Sequence, residues 1–293
     1  MTEIHHFTYG VFNPIAAYLL AFLGSFFGLL CTARARDART RSRRNRWLGI
    51  AAFSIGGCAI WLMHFAAMLG FDVPASPVRY DVLMTAVSGV FAVIAVGLGL
   101  LIVGHGRRSF PKVVAAGVLT GGGVLAMHYS GMAALHVAGT VHYNRTLVIA
   151  SAIIAVVAST VAHWFAISVN GWARVTGAAA IMAVAVCGMH YTGMAAMSVH
   201  LDVDRVDQVH GIRTLTMIVP ITLITAATIV GVALSALQAM TEEEFSDGAP
   251  TPKRGVHAES TANPWSLKQA NLAPASTRRP SPRPIPIRST GNN

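Results

Sequence analysis

Seven apolar runs of membrane-spanning length constrain this chain most, near residues 11–33, 47–70, 82–103, 113–135, 146–169, 175–198 and 214–238. A helix needs about 20 apolar residues to cross a hydrocarbon core, and each run meets that length. Apart from Asp81 at a boundary, none carries Asp, Glu, Lys or Arg in its interior. With 54% hydrophobic and 12% charged residues, the composition belongs to an integral membrane protein. The expected fold is an all-α membrane protein, a seven-transmembrane helix bundle in the lipid bilayer.

The formal charge of +10 does not indicate nucleic acid, because the basic residues fall between apolar runs and in the tail, without interleaved aromatics. They follow a topology rule instead. The first connector carries Arg34, Arg36, Arg39, Arg41, Arg43, Arg44 and Arg46, the third Arg107, Arg108 and Lys112, and the fifth Arg174; the alternate connectors carry Arg79, Arg145, Arg205 and Arg213. Odd connectors and the C-terminus are therefore expected in the cytoplasm and the N-terminus outside, in the cell membrane. The start of the chain has no cleavable signal pattern. Cys31, Cys58 and Cys187 lie inside apolar runs, so no disulfide framework is expected. From residue 239 the chain turns rich in Pro, Arg, Ser and Thr. The expected division is a membrane domain over 8–238 and a disordered cytoplasmic tail over 239–293.

Within the runs one pattern repeats. Met63-His64-Phe65-Ala66-Ala67-Met68, Met127-His128-Tyr129-Ser130-Gly131-Met132 and Met189-His190-Tyr191-Thr192-Gly193-Met194 each lie toward the end of an apolar run. The copies begin at residues 63, 127 and 189, so they are 64 and then 62 residues apart, the length of a helix hairpin. The bundle is therefore read as repeated helix pairs. Small residues precede each copy, such as Gly56-Gly57, Gly121-Gly122-Gly123 and Ala178-Ala179-Ala180, and imply close packing of the second, fourth and sixth helices.

Residues four apart share a helix face, so His64 with Met68, His128 with Met132 and His190 with Met194 each present imidazole and thioether together. All three helices run in one direction, and each His precedes the end of its run by six to eight residues, roughly 10 Å deep. The pairs are expected level and convergent near the outer membrane face. Imidazole and thioether without carboxylate favour a soft or borderline metal, and copper fits best. Met63, Met127 and Met189 point about 100° away from the histidines and either support the ligands or pack. Tyr129 and Tyr191 are candidates to orient a ligand, and Cys187, one turn before His190, is a possible extra one. His163 has no Met at helical spacing and is read as structural. His5, His6, His136, His142, His200 and His210 fall in loops on the outer side. A proton-coupled transporter commonly uses a mid-membrane carboxylate and a retinal protein needs a lysine; the runs contain neither, the lysines being Lys112, Lys253 and Lys268.

These residues resemble the MHYT domain, a seven-helix bacterial membrane sensor module named for Met-His-Tyr-Thr. The resemblance covers residues 8–238 and includes Ile60-Trp61-Leu62-Met63-His64-Phe65 and Tyr80-Asp81. Ala66-Ala67 and Ser130 depart from its pattern. The resemblance implies a sensor that binds copper near the outer face and through it responds to oxygen, carbon monoxide or nitric oxide. By residue match, its ligands would be His64, Met68, His128, Met132, His190 and Met194. Family members often carry cytoplasmic domains that make or degrade cyclic dinucleotides, or a kinase. The tail here is short and proline-rich, so an unidentified cytoplasmic partner is expected to carry the output. The leading expectation is a non-enzymatic copper-binding sensor. The alternatives are a haem protein of electron transfer, using two of the same histidines, and a copper transport protein, which would need ligands at several depths.

Overall fold

The computed structural model describes residues 8, 10–74, 76–202, 209–213 and scattered positions between 216 and 234. Six helices among the described residues are long and apolar enough to cross a membrane: α1 (Phe12–Asp37), α2 (Arg41–Met68), α3 (Val82–Gly104), α4 (Phe110–Ala133), α5 (Arg145–Ser168) and α6 (Trp172–Ala195). They fall within a few residues of the first six apolar runs. The seventh expected span, 214–238, lies largely outside the described residues, although its described positions are helical. The expected tail, 239–293, lies outside them entirely.

Local chemistry sets the helix starts. Asp81 caps α3 by accepting from the Met84 amide at 2.7 Å. Asn144 caps α5 by accepting from Thr146 and Leu147 at 2.9 and 3.3 Å, and a proline sits in the first turn of α4. Such side chains satisfy amides that have no partner within the helix. The largest departure from the sequence expectation is at α2, which begins at Arg41 rather than 47. Thr40 accepts from the Arg43 amide at 3.2 Å, so the helix is nucleated within the arginine-rich connector.

Helices adjacent in sequence pack against one another, and α1 closes the bundle against α6. Among the six, α2 is the most enclosed: 78% of its apolar window is buried, against 17% for α5. The outward face of α5 carries Ile149, Ile153 and Val157, at i, i+4 and i+8, each more than half exposed. An apolar stripe of this kind is suited to hydrocarbon. The small residues serve mainly neighbours in sequence, which corrects the expectation that they join α2, α4 and α6. A Cβ on Gly56 would lie 2.8 Å from the Ala92 carbonyl oxygen of α3, and one on Gly121 would lie 2.8 Å from Val156 Cα of α5.

Two features were not expected from the sequence. Phe53–Leu62 of α2 is π-helical, a widened turn commonly found beside functional sites, and it leads directly into Met63-His64. Short strands also gather at the histidine end of the bundle: β1 (Arg79–Tyr80), β2 (Leu135–His136), β3 (Gly139–Tyr143), β4 (Met197–Leu201) and β5 (Ile212–Arg213). Strand β1 lies between β2 and β5, antiparallel to both, pairing Tyr80 with Leu135 and with Ile212. Strands β3 and β4 form a separate antiparallel pair from Gly139↔Leu201 to Tyr143↔Met197. The apolar ends of the fourth and sixth runs enter these strands and that of the second run forms a turn, so α2, α4 and α6 stop at Met68, Ala133 and Ala195. Each histidine is therefore four or five residues from its helix end, closer than the expected six to eight.

Candidate metal centre

Burial is the first property of the three histidines. His64, His128 and His190 are 0%, 0% and 1% exposed, although an imidazole loses hydration when enclosed and needs a partner. The helices supply one another. His64 Nδ1 lies 2.9 Å from His190 Nδ1 and 3.2 Å from His128 Nδ1, and one ligand nitrogen from each ring falls within 4.8 Å of the other two. The rings meet edge to face, with centroids 4.9 to 5.3 Å apart. The expected convergence of α2, α4 and α6 is thus found.

The seats of two rings are made by glycine. His64 packs on Gly131, where a Cβ would lie 2.6 Å from its Nε2, and His128 packs on Gly193, where a Cβ would overlap the ring. Each glycine stands three residues after the histidine of its own copy and receives the histidine of the preceding copy. The first copy has Ala67 at this place, packed in a cluster with Ala17, Ala21, Met63 and Ala183. The cyclic relation among the three copies is therefore broken at one step.

The proton inventory at the centre does not balance. An imidazole Nδ1 carries in its ring plane either a hydrogen or a lone pair. His64 Nδ1 cannot donate to one neighbour while accepting from the other; both neighbours can only share its lone pair, or compete for its hydrogen. In addition, His64 Nε2 and His128 Nε2 are buried without a hydrogen-bond partner, each a penalty of about 1–3 kcal/mol. A cation accepting Nδ1 lone pairs removes the first conflict. Nitrogens bound to one ion at about 2.0–2.1 Å lie roughly 3.3–3.6 Å apart in tetrahedral or trigonal arrangement, near the separations found.

The methionines divide into two sets. Met68, Met132 and Met194 are almost fully buried and share one cluster with Phe65, Tyr80, Met197 and Met217, one turn beyond the rings toward the strands. Met127 and Met189 belong to the large core on the other side, and Met63 packs toward α1. Tyr129 lies edge-on to His128 and its hydroxyl is 2.9 Å from Ser151 Oγ; Tyr191 lies edge-on to His190. Cys187 packs against the cluster of Met63 and Ala67 and is not among the groups whose ligand atoms converge. His163 is held apart from the centre, with Nδ1 donating to the Ser159 carbonyl at 2.7 Å and Nε2 facing Thr120 Oγ1 at 3.4 Å. His142 and His200 meet across β3 and β4 with centroids 5.1 Å apart, and His136 Nδ1 donates to the His210 carbonyl at 3.0 Å. His5 and His6 lie outside the described residues. Sequence reasoning gave no role to Gly131, Gly193 or Tyr80, whose hydroxyl donates to the Met68 carbonyl at 3.3 Å. The signal for the glycines was available, since each follows its histidine by three residues in two copies.

The model for the family MHYT, described as "Bacterial signalling protein N terminal repeat", matches this chain three times, over residues 57–116, 121–179 and 184–243. The chain is a member of the MHYT family. Each MHYT repeat begins within the helix that bears one histidine, so every repeat carries one ring. Curated relatives are signalling proteins. The bifunctional diguanylate cyclase/cyclic di-GMP phosphodiesterase MucR of Pseudomonas aeruginosa is 37% identical, covering 61% of this chain and 26% of its own length. The cyclic di-GMP phosphodiesterase NbdA of the same organism is 32% identical, covering 65% and 24%. The signaling protein YkoW of Bacillus subtilis is 30% identical, covering 67% and 25%. The MHYT chain thus spans about a quarter of the length of these relatives. No solved structure matches it.

Proposed function

We propose that this chain is the membrane-embedded sensing unit of a bacterial signalling system, and that it holds copper at His64, His128 and His190. The observation that carries the reading is the approach of both neighbouring Nδ1 atoms to His64 Nδ1, at 2.9 and 3.2 Å, a conflict that a shared ion resolves. Met68, Met132 and Met194 supply thioethers on the same helix faces, a turn toward the strands. Charge favours the monovalent ion. No Asp or Glu joins the cluster among the described residues, so an added charge there has no counter-ion, and Cu(I) brings half the burden of a divalent metal. Cu(I) also prefers soft and imidazole ligands.

A haem fits this arrangement less well. Two imidazoles on opposite faces of a haem iron would have their nitrogens on the order of 4 Å apart, farther than the pairs at His64. Transport requires ligands in succession along a path, and these rings sit together. The input to the sensor is a diatomic gas or a change of redox state at the ion, with the N-terminus outside and the signal passed to a cytoplasmic output partner.

The test is copper analysis and absorption spectroscopy on the full chain purified in detergent and loaded anaerobically with Cu(I), beside the His128→Ala, His190→Ala double variant. The expected result is one bound ion in the wild type and loss in the variant. Equal retention by both overturns the assignment. Addition of carbon monoxide with detection of a bound C–O stretch separates gas sensing from a purely redox input.

A further inference from the structure

The other end of the bundle carries a concavity of about 180 Å³. Three arginines line it: Arg36 from the last turn of α1, Arg44 from the first turn of α2 and Arg108 from the turn between α3 and α4. That turn is formed by Gly106, which lines the same space at φ +71°, a conformation that favours glycine. The remaining walls are apolar or neutral, including Leu48, Leu100 and Ala166, and no carboxylate is among them.

The hydrogen bonds of Arg36 and Arg44 go to neutral groups. Arg36 donates to the Ala166 and Val169 carbonyls and to Asn170 Oδ1, at the C-terminus of α5. Arg44 donates through Nε to the Ala35 carbonyl at 3.3 Å. All four acceptors are neutral, and both guanidinium groups retain further N–H donors. Asp37, next to Arg36 in sequence, offsets part of the Arg36 charge but is exposed and is not part of the lining. Three like charges around one space repel unless something negative enters it, and a planar guanidinium suits tetrahedral oxyanions, to which it donates in pairs.

We propose that this concavity binds a phosphate group, held by Arg44 and Arg108 with Arg36 contributing charge. Its location where helices end is compatible with two sources of that chemistry: the headgroup of an anionic phospholipid and a free phosphate. The proposal is independent of the histidine centre.

The experiment uses the full chain in detergent, in two arms. In one, retention of phosphatidylglycerol is followed by native mass spectrometry; in the other, inorganic phosphate is titrated by calorimetry. Arg36 is left unchanged because it caps α5. The variants are Arg44→Gln with Arg108→Gln, and Arg108→Glu alone, which alters only an exposed turn residue. The expected result is a loss of affinity of about tenfold or more in both variants, in the lipid arm if a headgroup is the source and in the phosphate arm if it is free phosphate. Binding that is absent from wild type in both arms, or equal in wild type and Arg108→Glu, overturns the proposal.

Discussion

The ring of His128 occupies the space that a side chain on Gly193 would need. The same relation joins His64 to Gly131, so two of the three rings are set by the absence of a Cβ on a neighbouring helix. Gly193→Ala is expected to destabilise the chain by about 1–3 kcal/mol, the usual result of overpacking a filled interior, and to lower copper retention. Gly188→Ala is the control, since a Cβ there meets nothing within 4 Å. Thermal unfolding in detergent and metal analysis of both variants check this; equal behaviour would remove the glycine seat.

His64 is the hub, because its Nδ1 faces both neighbours. His64→Ala is expected to weaken Cu(I) binding more than His128→Ala or His190→Ala, by about tenfold or more, since it removes both close nitrogen pairs while each of the others leaves one. Competition titration against a chelator of known affinity ranks the three variants.

Asp81 closes the first turn of α3 with a short bond to the Met84 amide. Asp81→Ala should cost about 1 kcal/mol of stability and Asp81→Asn much less, as both carboxylate and amide oxygens cap helices. The midpoint of thermal unfolding distinguishes the two substitutions.

Arg36 joins α1 to the end of α5 by three hydrogen bonds. Arg36→Ala is expected to destabilise by about 2–3 kcal/mol, the scale of bonds made by a charged donor. Arg36→Lys should restore less than half, because an ammonium cannot span the three acceptors. Chemical denaturation in mixed micelles gives the comparison.

Much of this arrangement is legible in the chain itself. Six apolar runs became helices close to their expected positions, because hydrocarbon length and backbone satisfaction leave few choices. The repetition of His and Met at matching positions was enough to foresee that rings from α2, α4 and α6 meet. The seat of each ring was not legible, since it depends on where a different helix brings its glycine. The π-helical stretch Phe53–Leu62 leaves no mark that an ordinary apolar helix would lack. The concavity at Arg36, Arg44 and Arg108 joins residues from two separate connections, the first and the third, which the charge pattern alone reads as a topology signal.

The strands at the histidine end act as a clasp. Beyond the pairing of β1 with β2 and β5, the Asp81 amide donates to the Ala134 carbonyl and the Asn144 amide to the Ala196 carbonyl, each at 2.8 Å, fastening successive hairpins together. The far end is joined by turns and by the bonds of Arg36 to the end of α5. A bundle buckled at the tip where its three rings are buried keeps their spacing from outside, so loosening the strands is expected to reach the rings before it reaches the turns at the opposite end.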